Sequence, residues 1–289
     1  MEIIFFDYYH PYAGLCNQLY LLTNHIHNAL INNNLIYIHR FNIDIFNKTR
    51  KPLDSVLDIE STNRSIRRLT GKDVISPTPP CVIKSIPELR IYPVSSIELM
   101  SCLEFNKGVM DKVNVIKQEH LGSGYYGIHF RLEIDCILHY TFPNKIYNEF
   151  MDLVNRDPQL ALEFFEKLDK QAINSYCDRL LSDYIVYVKQ FGFDRIWFIS
   201  TGVTKYTIND YFIPYFEKFL NFIKQYGNYY INPVIYPERE LNALVDLLIL
   251  RDSEKLIGFS GSSFSEGYCY KVNQIRKVTR EFLFVKEKT

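Results

Sequence analysis

The chain has 289 residues, of which 47% are hydrophobic and 23% charged, and its 33 Lys plus Arg balance 33 Asp plus Glu. That composition excludes a largely disordered chain and leaves room for two modest α/β domains. A formal charge of zero excludes a global basic field for nucleic acid or an anionic membrane, while a local site for a small phosphate ligand stays open.

Ile3–Phe6 is a short apolar run followed by Pro11 and Gly14. Leu19, Leu22, Ile26, Ala29 and Leu30 then recur at helical spacing, Asn32–Asn34 breaks the helix, and Leu35–Ile38 is β-prone. This predicts an opening βαβ unit of a parallel sheet. From Lys51 to Ser96 six prolines predict loops, short helices and one or two strands. A second βα series is expected from Gly122, with a strand at Tyr125–His129, helices from Asn144 to Gln190 and a turn near Asp157–Pro158. Strands are predicted at Arg195–Ser200, within Tyr229–Tyr236 and at Leu256–Phe259, with helices at Tyr215–Tyr226 and Asn242–Leu250. Glu281–Val285 suits a last edge strand. The fold class read from this alternation is parallel α/β, with domains at 1–121 and 122–289.

No window of 18 apolar residues occurs, so no segment is expected to cross a membrane. The opening residues lack a basic n-region and read as a strand rather than a leader. The six cysteines form no C-x-x-C pair, so neither a zinc site nor a redox pair is expected, and the setting expected is cytoplasmic. His25 and His27 on the first helix are expected to be partly exposed, and His139 is left between a surface and a cleft residue.

In open α/β sheets ligands bind beyond the carboxyl ends of the strands, and three loops here are expected at such ends. The first is Gly14-Leu15-Cys16-Asn17-Gln18: Gly14 allows close backbone approach, and Asn17 and Gln18 would open a helix whose free N–H groups attract anions. A plain N-cap at Asn17 explains the same residues. The second is His129-Phe130-Arg131, where a strand points both polar residues to one face. Arg131 there suits a diphosphate, with Glu133 or Asp135 fixing it or acting on an acceptor; a surface ion pair is the alternative. The third is Ser262-Ser263-Phe264-Ser265, whose hydroxyls and backbone N–H groups would cradle phosphate, or which forms only a capping box from Ser263 to Glu266. Ser200 and Thr201 end another strand and either touch the ligand or cap a helix.

Taken in this order, the loops resemble the GDP-fucose-dependent fucosyltransferase superfamily, and among its branches the protein O-fucosyltransferases, with the α1,2-fucosyltransferases related. The resemblance is carried by Gly14-Leu15-Cys16-Asn17-Gln18, by His129-Phe130-Arg131, and by Asp246-Leu247-Leu248-Ile249-Leu250 leading to Ile257-Gly258 and Ser262-Ser263-Phe264-Ser265. The chain departs from the pattern at Cys16, where a second glycine is usual, and at Ile134, where many branches carry an acid. The resemblance implies a GT-B enzyme, with two Rossmann-like domains facing across a cleft. It would be inverting and metal-independent, moving L-fucose from GDP-fucose to a hydroxyl of a glycan or protein acceptor. It would use no cofactor beyond the nucleotide-sugar donor. Arg131, with Asp135 and Glu133, would carry catalysis. Gly14, Asn17, His129, Ser200, Thr201, Asp246, Ser262, Ser263, Phe264 and Ser265 would bind the donor. A non-catalytic nucleotide-sugar or glycan-binding protein, or a transferase for another nucleotide sugar, is the alternative.

Overall fold

A computed structural model describes residues 3–6, 14–44, 49–79, 97–202 and 207–285. In chain order the strands and helices are β1 (Ile3–Phe6), α1 (Leu15–Asn32), β2 (Leu35–Ile38), β3 (Phe41–Asp44), β4 (Thr49–Lys51), α2 (Ile59–Thr70), α3 (Ile97–Ser101), α4 (Lys107–Ile116), β5 (Tyr125–His129), α5 (Ile134–Thr141), α6 (Asn144–Arg156), α7 (Pro158–Glu166), α8 (Lys170–Phe191), β6 (Ile196–Ser200), α9 (Ile213–Tyr226), β7 (Tyr229–Tyr230), α10 (Arg239–Asp252), β8 (Lys255–Phe259), α11 (Lys271–Ile275) and β9 (Glu281–Val285). They group into two compact units. One comprises Met1–Gln118, Ile235–Arg251 and Gly267–Thr279, the other Glu119–Val234, Asp252–Glu266 and Arg280–Thr289. The single boundary expected at 121 differs from this division: the units divide after Gln118, and two later segments group with the first unit.

In the first unit β1 and β2 pair in parallel, joined by α1, as the expected βαβ unit. Val74–Ser76 pairs alongside β2 through Ile36, and β3 with β4 forms an antiparallel hairpin that the sequence reading did not anticipate. The stripe Leu19, Leu22, Ile26 and Ala29 is buried, and α1 stops at Asn33, whose φ of 53° is left-handed. His25 lies on that same buried face, not partly exposed as expected, and burial pushes its pKa down to about 4. The 12-residue α2 fits between Pro52 and Pro77, capped by Asp58, which accepts from the Ser61 N–H at 2.9 Å, and closed by Gly71 at φ 78°. Much of the remaining proline-rich stretch, from Pro80 to Ser96, lies outside the described residues. α10 is buried almost all round, as a helix through the middle of a core must be.

In the second unit five parallel strands run in the order β7-β6-β5-β8-β9. Every residue of β5 is buried, which is why Tyr-Tyr-Gly-Ile-His shows no polar alternation. The helical stretch after β5 is punctuated by acids. Asp157 caps α7, accepting from the Gln159 N–H at 2.9 Å with Pro158 in the first turn, and Asp169 caps α8 in the same way. α8 contributes Ile173, Leu180 and Tyr184, fully buried, to a core shared with Trp197, Phe216 and Phe219. β7 is only two residues long and lies within Tyr229–Tyr236, where a strand is expected. The chain moves outward from β5 to β6 and β7, then returns to the opposite side of β5 for β8 and β9. The order therefore reverses between β5 and β8, and this is where a doubly wound sheet opens a crevice at its carboxyl edge.

Candidate active site at the carboxyl edge of the parallel sheet

The pairing of β5 with β8 ends at Ile128 and Ile257, one residue before the close of β5. Beyond that point the two strands carry their polar residues into the same space. His129 Nδ1 lies 3.1 Å from Ser265 Oγ, and the imidazole stacks on Phe264 with ring centroids 4.8 Å apart. Arg131 sends Nη1 to Ser262 Oγ and Nη2 to Asp135 Oδ2, each at 3.4 Å. His129 and Arg131, the latter two residues past the end of β5, thus reach one turn.

That turn is built by its own hydroxyls. Ser262 Oγ accepts from the Phe264 N–H at 3.2 Å and the Ser265 N–H at 3.4 Å, while Glu266 Oε2 accepts from the Gly261 N–H at 2.6 Å. The cap is therefore Ser262, not the Ser263 of the expected capping box, and Glu266 reaches back one residue further to close it. Gly261 takes a φ of 75°, which the turn needs and a side chain would resist. Ser265 is fully buried, and its hydroxyl also accepts from the Phe259 N–H at 2.9 Å.

Charge in this site is concentrated on Arg131. Burial disfavours its cationic form, but the negative charges around it, Asp135 foremost, more than offset this and raise its pKa above the ordinary value. Its Nε is buried without a hydrogen-bond partner in the protein. Burial and the adjacent guanidinium push His129 down to about 3, so it is neutral across the physiological range. Glu133, another of the negative charges near Arg131, accepts at Oε1 from the Gly202 N–H at 3.1 Å, just past the end of β6. Ser200 and Thr201 are buried at that strand end, and the Ser200 carbonyl accepts from the Phe130 N–H at 2.9 Å. His139 is exposed on α5, its ring edge-on to Tyr140 and Tyr147.

One functional candidate was absent from the sequence reading. Tyr184, on the buried face of α8, donates its phenol to the His129 carbonyl at 2.7 Å and accepts from the Arg131 N–H at 3.1 Å. The signal was a hydroxyl on an otherwise apolar helix face, which must find a partner when buried.

Gly14, Asn17 and Asp246 belong to the first unit. Gly14, not Asn17, precedes the first turn of α1; Asn17 is exposed within the helix. The Leu15 N–H there donates to Glu240 Oε2 at 2.6 Å, so a carboxylate of the chain already answers that end of the helix. Gln18 is buried and exchanges two hydrogen bonds with the backbone of Asn42. Asp246 is buried on α10. Among the described residues, no group of three or more His, Cys, Asp or Glu side chains is placed to hold a metal, and no helix is long and apolar enough to cross a membrane. The five described cysteines are buried and form no disulfide with one another; Cys81 lies outside the described residues.

No protein-family profile matches the chain, and no curated protein sequence does. Solved structures do. The protein O-fucosyltransferase POFUT1 in its apo form superposes with a TM-score of 0.56 at 11% identity, covering 98% of this chain and 97% of that one. POFUT1 in complex with GDP-fucose gives 0.54 at 10% identity, over 98% and 97% of the two chains. POFUT1 in complex with GDP gives 0.54 at 9% identity, over 100% and 98%. The class these matches define is that of the fold: mixed α/β, with a parallel central sheet and many helices, like that of POFUT1.

Proposed function

We propose that this protein is an inverting fucosyltransferase that moves L-fucose from GDP-fucose to a hydroxyl of a glycan or protein acceptor. In this reading the two units are the Rossmann-like halves of a GT-B enzyme. The observation that carries it is Arg131. A guanidinium at the reversal point of a parallel sheet, braced by Asp135 and Ser262, is partly exposed there and presents a fixed cation to a ligand. A cation so placed suits the diphosphate that leaves as the C1–O bond of the sugar breaks. The acceptor oxygen would form the new bond from the opposite face, turning β into α, as the C1–O bond to the diphosphate breaks and the hydroxyl proton passes to water. The charge would come from Arg131, so the reading requires no divalent metal. Ser262, Ser263, Phe264, Ser265 and His129 would line the donor, with Ser200 and Thr201 beside them, and the donor-binding roles of Gly14, Asn17 and Asp246 form part of the proposal.

Two observations favour a second reading, a nucleotide-sugar-binding protein without turnover. Glu133 is held by Gly202 and Asp135 by Arg131, so neither carboxylate offered as a base is free for one. In the first reading this fits an oxocarbenium-like transition state that needs leaving-group stabilisation more than a strong base.

Thermal shift and donor hydrolysis separate the readings. GDP and GDP-fucose should raise the melting temperature, UDP should not, and labelled fucose should be released or transferred in the presence of a chelator. A shift with UDP instead points to another nucleotide sugar. A shift with GDP-fucose and no turnover on any glycan or peptide points to a binding protein.

A further inference from the structure

In a parallel sheet the carbonyl of one residue and the N–H two residues on face the same neighbouring strand and are both answered by one residue of it. On β5 the Phe130 N–H turns to β6, where it meets the Ser200 carbonyl. The His129 carbonyl and the Arg131 N–H therefore face the β8 side. The registered pairs there end at Ile128 and Ile257, so no residue of β8 answers them. The Tyr184 phenol does, donating to the first at 2.7 Å and accepting from the second at 3.1 Å. One hydroxyl thus performs both hydrogen-bonding functions of a missing strand residue. Its ring is fully buried and packs against Phe130 at 4.9 Å, so it has little freedom to leave. Ser265 closes the β8 side in the same manner, its hydroxyl serving the Phe259 N–H.

We infer that Tyr184 is a positioning residue: its hydroxyl ends β5 while keeping the crevice beside β8 open, and so aims Arg131 at the turn of Ser262. This rests on the fucosyltransferase reading above. Tyr184 touches no reacting atom; it acts through the backbone on either side of Phe130. Because the cation survives its removal, ground-state donor binding should change less than the chemical step, which depends on the direction of the guanidinium.

The test combines Tyr184→Phe with amide exchange on the unmodified protein. In Tyr184→Phe, kcat should fall about 10- to 100-fold, the loss a small misplacement of a catalytic group brings, with KM for GDP-fucose changed less than about threefold. The effect should be non-additive with that of Arg131→Lys. In the unmodified protein the Arg131 amide should exchange as slowly as the β5 amides. Fast exchange there overturns the inference without any variant, should Tyr184→Phe fail to fold. An unchanged kcat in a folded Tyr184→Phe, or strict additivity with Arg131→Lys, also overturns it. No turnover by the unmodified protein overturns the functional reading, and the positioning role falls with it; slow Arg131 exchange would then leave only the strand-ending hydrogen bonds standing.

Discussion

His129 Nδ1 and Ser265 Oγ stand 3.1 Å apart, bridging two strands that have ceased to pair one residue earlier. The contact is made by a neutral imidazole, because burial and Arg131 together hold the ring unprotonated. A charged His129 would set two cations side by side in a site whose anions are already committed. The neutral ring instead ties the turn after β8 to the end of β5 without adding charge near Arg131.

Ser265 and Ser262 should therefore differ on truncation. Ser265→Ala strips the Phe259 N–H and His129 of a buried partner, and should cost about 1–3 kcal/mol, the penalty for unsatisfied buried groups. Ser262→Ala loses a cap at the turn and should cost about 1 kcal/mol. Chemical denaturation of both variants checks the order; a larger loss at Ser262 would contradict it.

Arg131→Ala should leave stability nearly intact and abolish most turnover. The side chain is 27% exposed and its two contacts are long, so little folding energy rests on it. If Arg131 balances the leaving diphosphate as proposed, removing its guanidinium should cost about 10²- to 10³-fold in kcat, by analogy with the loss of one oxyanion donor. Unchanged turnover in a folded Arg131→Ala would remove it from the mechanism.

Much of this site could be read from sequence, and the reasons for the remainder are physical. The strands at 125–129, 196–200 and 255–259 announce themselves because a parallel sheet buries both faces and so demands unbroken apolar runs. Their order does not: nothing local says that β5 lies between β6 and β8, so the adjacency of Arg131 and Ser262 emerges only from the fold. Ser262 and Ser263 are one residue apart and equally suited to cap, and only the αL turn at Gly261 selects the first. The role of Tyr184 has no local signature, because its one polar atom is spent on a strand end 53 and 55 residues away in sequence.

Acid should weaken the fold through two histidines. His25 and His129 have folded pKa values of about 4 and about 3, below the ordinary 6.5. Between those values and 6.5 the unfolded chain binds more protons than the folded one. Stability is therefore complete above about pH 6.5 and falls as pH drops through 6 toward 4. Each histidine contributes a slope of at most about 1.4 kcal/mol per pH unit. Denaturant unfolding between pH 4 and 8 should show this decline, and His25→Gln, which is far in sequence from the candidate site, should make it shallower while sparing turnover. An identical slope in that variant would mean that His25 charges readily in the folded state.

Gly258, the glycine before Phe259 in β8, should resist even a methyl group. A Cβ there would stand 2.8 Å and 2.9 Å from two ring carbons of Phe284 on β9, and 3.0 Å from Ser265 Cβ. Its backbone is not left-handed, so the obstacle is space rather than conformation. Phe284 is only partly buried and can yield toward solvent, whereas Ser265 is pinned by His129 and the backbone of Phe259. Gly258→Ala should thus cost about 1–3 kcal/mol, the usual price of overpacking, and should disturb the Ser265–His129 contact. Pairing it with Phe284→Ala removes the ring and should return part of the stability, because the two substitutions share one contact. Equal destabilisation with and without the Phe284 ring would show that the clash lies with Ser265, and activity should then remain low in both.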